Sequence, residues 1–139
     1  MLREAFLDSA YAIALAATSD QYHDRALALA GQLETDKTLL LTTRAVLVEI
    51  GNALAKLRYR SAAIQLLDSL QADASVEIVT LTDEMYAQAF QLYRSRMDKE
   101  WGLTDCISFV VMQQRGMSDA LTSDQHFEQV GFRALLRQP

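Results

Sequence analysis

Proline is almost missing from this chain: its one proline, Pro139, is the last of 139 residues. Without an earlier proline, and with no repeat, low-complexity stretch or linker, residues 1–139 read as a single uninterrupted domain of common size. Cysteine is as scarce. Cys106 alone cannot close an internal disulfide, and one cysteine with two histidines excludes a Cys/His zinc cluster. No run of eighteen or more apolar residues is present, so no membrane-spanning helix is expected. The N-terminal stretch is a poor secretory signal because Glu4 and Asp8 interrupt it. Together these absences lead us to expect a protein of the reducing cytoplasm. There is also no P-loop, no GxGxxG and no GxSxG motif.

Basic charge is the next shortage. Thirteen Lys and Arg face eighteen Asp and Glu, for a net charge of −5. Such a chain lacks the general basic footprint of a nucleic-acid binder. A site built on divalent cations is a different matter, because carboxylates hold the cation and the cation inverts the local charge. Half of the residues are hydrophobic, enough for a substantial core.

The periodicity alternates between short apolar runs and amphipathic stretches. Strands are expected over 5–7, 38–42, 76–80, 120–122 and 131–136. Between them the spacing predicts a helix from Ser9, a second over 21–33 capped by Ser19-Asp20, and a third over 44–58 opened by Thr43. A fourth is expected over 61–70 and a fifth over 83–97, capped by Thr82. His23 falls on the second helix, as a surface residue. Leu103 to Met112, LTDCISFVVM, is apolar on nearly every face and reads as a buried helix ended by Gly116. Within it Cys106 reads as a small buried residue, and Asp105 is expected to begin the helix as its N-cap. Strands alternating with helices imply an α/β fold with a mainly parallel sheet of about five strands, covered by helices on both faces.

In such a sheet, sites form beyond the carboxyl ends of the strands. Asp8 follows the first strand and Asp124 follows the fourth, which places both at one edge. Glu49 and Asp105 reach that edge if their helices pack beside it. Each acid also has an ordinary reading, as cap, solvated helix face or turn residue. Four carboxylates around one cavity would repel one another unless a cation joined them. Mg²⁺ and Mn²⁺ are the hard cations that suit an all-oxygen set, and a pair of them suits phosphodiester hydrolysis. Asn52, one turn after Glu49, is a candidate partner for that carboxylate. Arg94, Arg96 and Lys99 form the densest basic patch, either as complements to a helix C-terminus or as contacts for the phosphates of such a phosphodiester substrate.

The motifs FLDSA, VEIGNAL, LTDCIS and ALTSDQHFEQVGF, with the T-x-D-x-H-F-x-x-x-G-F pattern inside the last, resemble the PIN domain in the same order and spacing. In particular, the whole chain resembles the VapC-type toxins of toxin–antitoxin pairs. The resemblance implies a three-layer α/β/α fold and a metal-dependent endoribonuclease that requires Mg²⁺ or Mn²⁺. Its acidic quartet would fall on Asp8, Glu49, Asp105 and Asp124, with Ser9 and Thr104 as hydroxyl neighbours. Ala10 departs from the pattern, since many members carry a further hydroxyl there. The resemblance further implies a homodimer, an RNA substrate and an antitoxin whose C-terminal segment occupies the active-site groove. A PIN-like module that binds RNA or protein without cutting is the alternative. An aspartyl phosphatase would want Asp-x-Asp where Asp8-Ser9-Ala10 stands, and a phosphoacceptor receiver would want a lysine later than Lys99.

Overall fold

Ala5, Phe6 and Leu7 are buried side by side, with no polar face between them, as in a strand covered on both sides. In the computed structural model, which describes residues 1–138, they form most of β1 (Glu4–Leu7), the middle strand of the sheet. The chain continues through α1 (Ser9–Ala16), α2 (His23–Asp36), β2 (Leu39–Thr43), α3 (Arg44–Ala53), α4 (Leu57–Ala72) and β3 (Val76–Val79). It then forms α5 (Asp83–Ser95), α6 (Leu103–Gln114), β4 (Asp119–Leu121), α7 (Gln125–Val130) and β5 (Arg133–Ala134), followed by a 3₁₀ turn at Leu135–Arg137.

All five strands are parallel, in the order β3-β2-β1-β4-β5. The chain therefore lays β2 and β3 on one side of β1, then returns to lay β4 and β5 on the other. That reversal is a topological switch point, and it lies between β1 and β4. There the register pairs Phe6 with Ala120 and Leu7 with Leu121. The residues leaving the two strands, Asp8 and Thr122, thus emerge next to each other. On the other flank of β1 the buried Thr42 hydroxyl donates to the Leu7 carbonyl at 2.8 Å, fixing the end of the strand.

The helices form two layers around the sheet. α1 packs against α2, α3 and α4, while α6 packs against α5 and α7, and α3 also reaches α6. An aromatic cluster fills the space behind α6 and α7. Phe109 meets Trp101 edge-on at 5.2 Å and Phe127 edge-on at 4.9 Å, and Phe127 continues to Phe6 at 6.5 Å. The Trp101 indole N–H donates to Gln129 Oε1 at 2.8 Å, so the polar edge of that ring is satisfied as well.

Several boundaries differ from the sequence expectation. The third helix stops at Ala53 instead of running to 58, because Lys56 turns extended and α4 starts anew at Leu57. Arg60 clamps this break, donating from Nε and Nη2 to the Ala55 carbonyl at 3.0 and 2.7 Å. The fifth strand shrinks to two residues, since Leu135 and Leu136 turn into the core as a 3₁₀ turn. His23 is half-buried and not on the surface: its Nδ1 lies 2.7 Å from the Ala14 carbonyl and ties α2 to α1. Thr43 and Thr82 cap their helices as expected, accepting from Val46 N and Met85 N. Gly116 takes the left-handed conformation (φ +64°) that ends α6. Cys106 is fully buried, and burial pushes its thiol up to about 11.

Candidate active site

Asp8 is the first residue beyond a strand buried on both faces, and it inherits that burial, with 3% of its surface exposed. Its backbone is extended and leads into α1, yet the side chain caps nothing. Oδ2 accepts the Thr122 hydroxyl at 2.7 Å. Oδ1 is buried and has no hydrogen-bond partner. An unpaired carboxylate oxygen in this position is costly and calls for a positive partner.

Thr122, fully buried, is a junction. Its hydroxyl donates to Asp8 and accepts the Asp124 N–H at 3.0 Å. Asp124 in turn caps α7, with Oδ1 accepting the His126 N–H at 2.8 Å. The Thr-x-Asp spacing therefore holds two of the four acids in one chain of hydrogen bonds. In sequence Thr122 is the end of a strand and the first residue of the T-x-D-x-H-F pattern, with no role at the acids. Its signal was the threonine two residues before Asp124.

Glu49 is half-buried on α3, where α3 packs against α1. Its Oε1 accepts the Ser9 hydroxyl, so the residue after Asp8 positions a second acid. Asn52, the partner expected from helical spacing, is exposed and makes no hydrogen bond to Glu49 among the described residues. α1 supplies the closer donor, and that proximity is tertiary.

Asp105 is the third residue of α6 and not its N-cap, which is Gly102. From there the carboxylate reaches back and Oδ2 accepts the Gly102 N–H at 3.2 Å. Phe109, one turn on, anchors this part of α6 in the aromatic cluster. Thr104 is half-buried; its carbonyl accepts the Ser108 hydroxyl at 3.1 Å, and its own hydroxyl bonds to none of the four acids.

The electrostatics link all four acids. Burial first, then the charges of Asp105 and Glu49, push Asp8 from 3.8 up to about 7, against the lowering effect of the Thr122 hydroxyl. Burial, then the charge of Asp124 and that of Glu49, push Asp105 from 3.8 up to about 6, with the Gly102 N–H opposing. Two carboxyls held near neutrality without a cation are the signature of a crowded anionic pocket. The orphan Oδ1 of Asp8 and the all-oxygen donor set fit a hard divalent cation. His126 adds a nitrogen to the rim. Nδ1 stands 3.1 Å from Asp124 Oδ1 and 3.6 Å from Asp105 Oδ2; the first approach is close enough for a hydrogen bond but not aligned as one.

Basic residues lie beyond Gly102. Arg96 pairs with Asp98 through Nε and Nη2, both at 2.9 Å, and its guanidinium stacks over Trp101. Arg94 stacks over Phe90 in the same way. Tyr93, Arg96, Lys99, Trp101 and Gly102 help to line a cavity of about 440 Å³ that adjoins Asp105 through Gly102. A larger cavity of about 530 Å³ opens where β1, β2 and β3 begin, lined by Glu4, Leu39 and Val76, and holds none of the four acids. The acids thus lie not in that larger hollow but towards the carboxyl ends of the strands, where parallel sheets place their sites.

This geometry is that of a small α/β domain with an acidic centre at its switch point. The PIN domain family model matches residues 5–133, and the chain belongs to that family. Among solved structures it is similar to VapC20 of Mycobacterium tuberculosis, a sarcin-ricin loop cleaving toxin. That likeness has a TM-score of 0.81 and 24% identity, and covers 93% of this chain and 96% of VapC20. It is also similar to VapBC2 from Rickettsia felis, solved with a DNA fragment from its promoter. Here the TM-score is 0.63 and the identity 13%, over 92% of this chain and 93% of that one. At these identities the likeness establishes the fold. No curated protein matches the sequence. Among the described residues, no helix is long and apolar enough to cross a membrane.

Proposed function

We propose that this chain is a divalent-metal-dependent endoribonuclease and the toxin of a toxin–antitoxin pair. The observation that carries the reading is the buried, unpartnered Oδ1 of Asp8 among acids whose charges reach it. Asp8, Glu49 and Asp105 would hold the cation, with Asp124 beside them. Mg²⁺ or Mn²⁺, when bound, supplies the positive charge against which a phosphodiester and an attacking water can be held. The chain's own residues do the positioning. Ser9 orients Glu49, Thr122 orients Asp8, and the Gly102 N–H holds Asp105 at the start of a rigid, buried helix.

Arg94, Arg96 and Lys99 would meet RNA phosphates on the side of the centre where α5 gives way to α6, with Trp101 already stacked by Arg96. An antitoxin segment would occupy the groove over the acids, and two copies of the chain would form a homodimer, as the resemblance to VapC-type toxins implies.

Cleavage of RNA by the wild type and by Asp105→Asn, each with Mg²⁺ or Mn²⁺ and with EDTA, tests the reading. We expect cleavage by the wild type with metal alone. Equal cleavage under all conditions would sink the metal mechanism. Mn²⁺ binding without any cleavage would instead favour a module that binds RNA or protein without cutting.

A further inference from the structure

We propose that His126 is a metal ligand: its Nδ1, with one carboxylate oxygen each from Asp105 and Asp124, forms a second cation position beside the one centred on Asp8. This rests on the metal-dependent reading above and deepens it. One ligand atom from each of the three residues lies within 4.8 Å of the other two. Two donors at right angles around an ion with bonds of about 2.1–2.2 Å stand about 3 Å apart. The 3.1 and 3.6 Å separations of Nδ1 from the two carboxylate oxygens suit neighbouring corners of such a polyhedron.

Two independent features point to a ligand here. Nδ1 is enclosed and makes no aligned hydrogen bond, although a carboxylate oxygen lies 3.1 Å away. The second feature is Asp8, whose nearly fully buried carboxylate keeps one oxygen free while the other is tied through Thr122 to Asp124. Each unsatisfied atom thus belongs to a residue that acts on Asp105: His126 across 3.6 Å, and Asp8 through the mutual charge of the two carboxylates. The His126 ring is also set by its own backbone, whose N–H is the one capped by Asp124. Replacing the ring leaves that cap intact.

An imidazole nitrogen changes the preference of a site. Mg²⁺ favours oxygen ligands, whereas Mn²⁺ and its later first-row neighbours accept nitrogen more readily. A mixed position of this kind binds Mn²⁺ in preference to Mg²⁺, while the all-oxygen position around Asp8 is more tolerant.

Because the chain has only two histidines, pulsed electron paramagnetic resonance of bound Mn²⁺ gives a clean test. The full chain loaded with two equivalents of Mn²⁺ is expected to show ¹⁴N coupling from imidazole. His126→Gln should abolish that coupling and weaken the second Mn²⁺ by about tenfold or more, a loss of the size seen on disturbing metal environments. His23→Gln should leave both unchanged. Bound Mn²⁺ without nitrogen coupling, coupling that survives in His126→Gln, or unaltered Mn²⁺ affinity in that variant would each overturn the assignment. If metal-dependent RNA cleavage persists in those cases, the loss is confined to His126. If the wild type binds no Mn²⁺ at all, the metal-dependent reading falls and takes this assignment with it.

Discussion

Thr122 donates its hydroxyl hydrogen to Asp8 across 2.7 Å, although the two residues stand 114 positions apart in the chain. The same oxygen accepts the Asp124 N–H, so one side chain sets the relation between the first and last of the four acids. Thr122→Val keeps the shape and removes both interactions, leaving Asp8 with two unpaired oxygens. We expect a loss of about 1–3 kcal/mol in urea unfolding, the usual penalty for stranding buried polar groups. Mn²⁺ affinity should fall by roughly 10–100-fold. Thr122→Ser should stay close to the wild type in both measurements.

Asp8 makes the metal-free protein sensitive to pH. Its folded value of about 7 lies above the ordinary 3.8, so between these limits the folded chain keeps a proton that the unfolded chain has lost. Stability therefore falls as pH rises from about 4 to 7, and Asp105, raised to about 6, acts in the same direction. In EDTA the unfolding free energy should drop by roughly 2–4 kcal/mol between pH 5 and pH 7.5. Asp8→Asn retains an acceptor for Thr122 and carries no charge. It should flatten this dependence and raise the metal-free melting temperature at pH 7.5; an unchanged slope would show that another group controls it.

Ser9 and Asn52 offer a direct contrast at Glu49. Ser9→Ala removes the hydroxyl that donates to Oε1, and should lower Mn²⁺ affinity by roughly tenfold with little effect on the melting temperature. Asn52→Ala alters an exposed residue and should change neither. Isothermal titration of the two variants side by side distinguishes them.

Phe109 tests how far the site leans on its packing. It is fully buried and touches Trp101, Phe127 and Phe132, one turn beyond Asp105. Phe109→Leu should cost about 1–3 kcal/mol and Phe109→Ala about 3–5 kcal/mol, as cavities in close-packed cores do. Denaturant unfolding followed by Trp101 fluorescence reads both the loss and the loosening of the ring beside it.

Much of this arrangement was legible before any coordinates. Continuous apolar runs marked β1 and β2, and polar caps marked the starts of α3 and α5, because these are local physical signals. Asp8 and Asp124 could be placed at one edge from strand direction alone, whereas Glu49 and Asp105 depended on how their helices pack. Strand order was not legible, since nothing local says that β4 returns to lie beside β1. For that reason the bond from Thr122 to Asp8 was not legible, although Thr122 opens the T-x-D-x-H-F pattern, and helical spacing offered Asn52 to Glu49 where the fold supplies Ser9. Asp105 was misplaced by one helical turn's logic: as an N-cap it would have bonded forward into the helix, whereas at the third position it bonds back to Gly102. Similarly, the fifth strand was overextended because Leu135 and Leu136 are apolar in either a strand or a 3₁₀ turn.

The placement of β4 beside β1 also has a consequence in time. On a ribosome, Asp8 emerges more than a hundred residues ahead of Thr122 and Asp124, and for that stretch of synthesis it has neither to meet. Pairings of such long sequence separation come late in folding, after the loops between them have closed. A growing chain can therefore build β1, β2 and β3 and the helices over them while the acidic centre is still incomplete. The four acids come together only with the closing stretch of the fold.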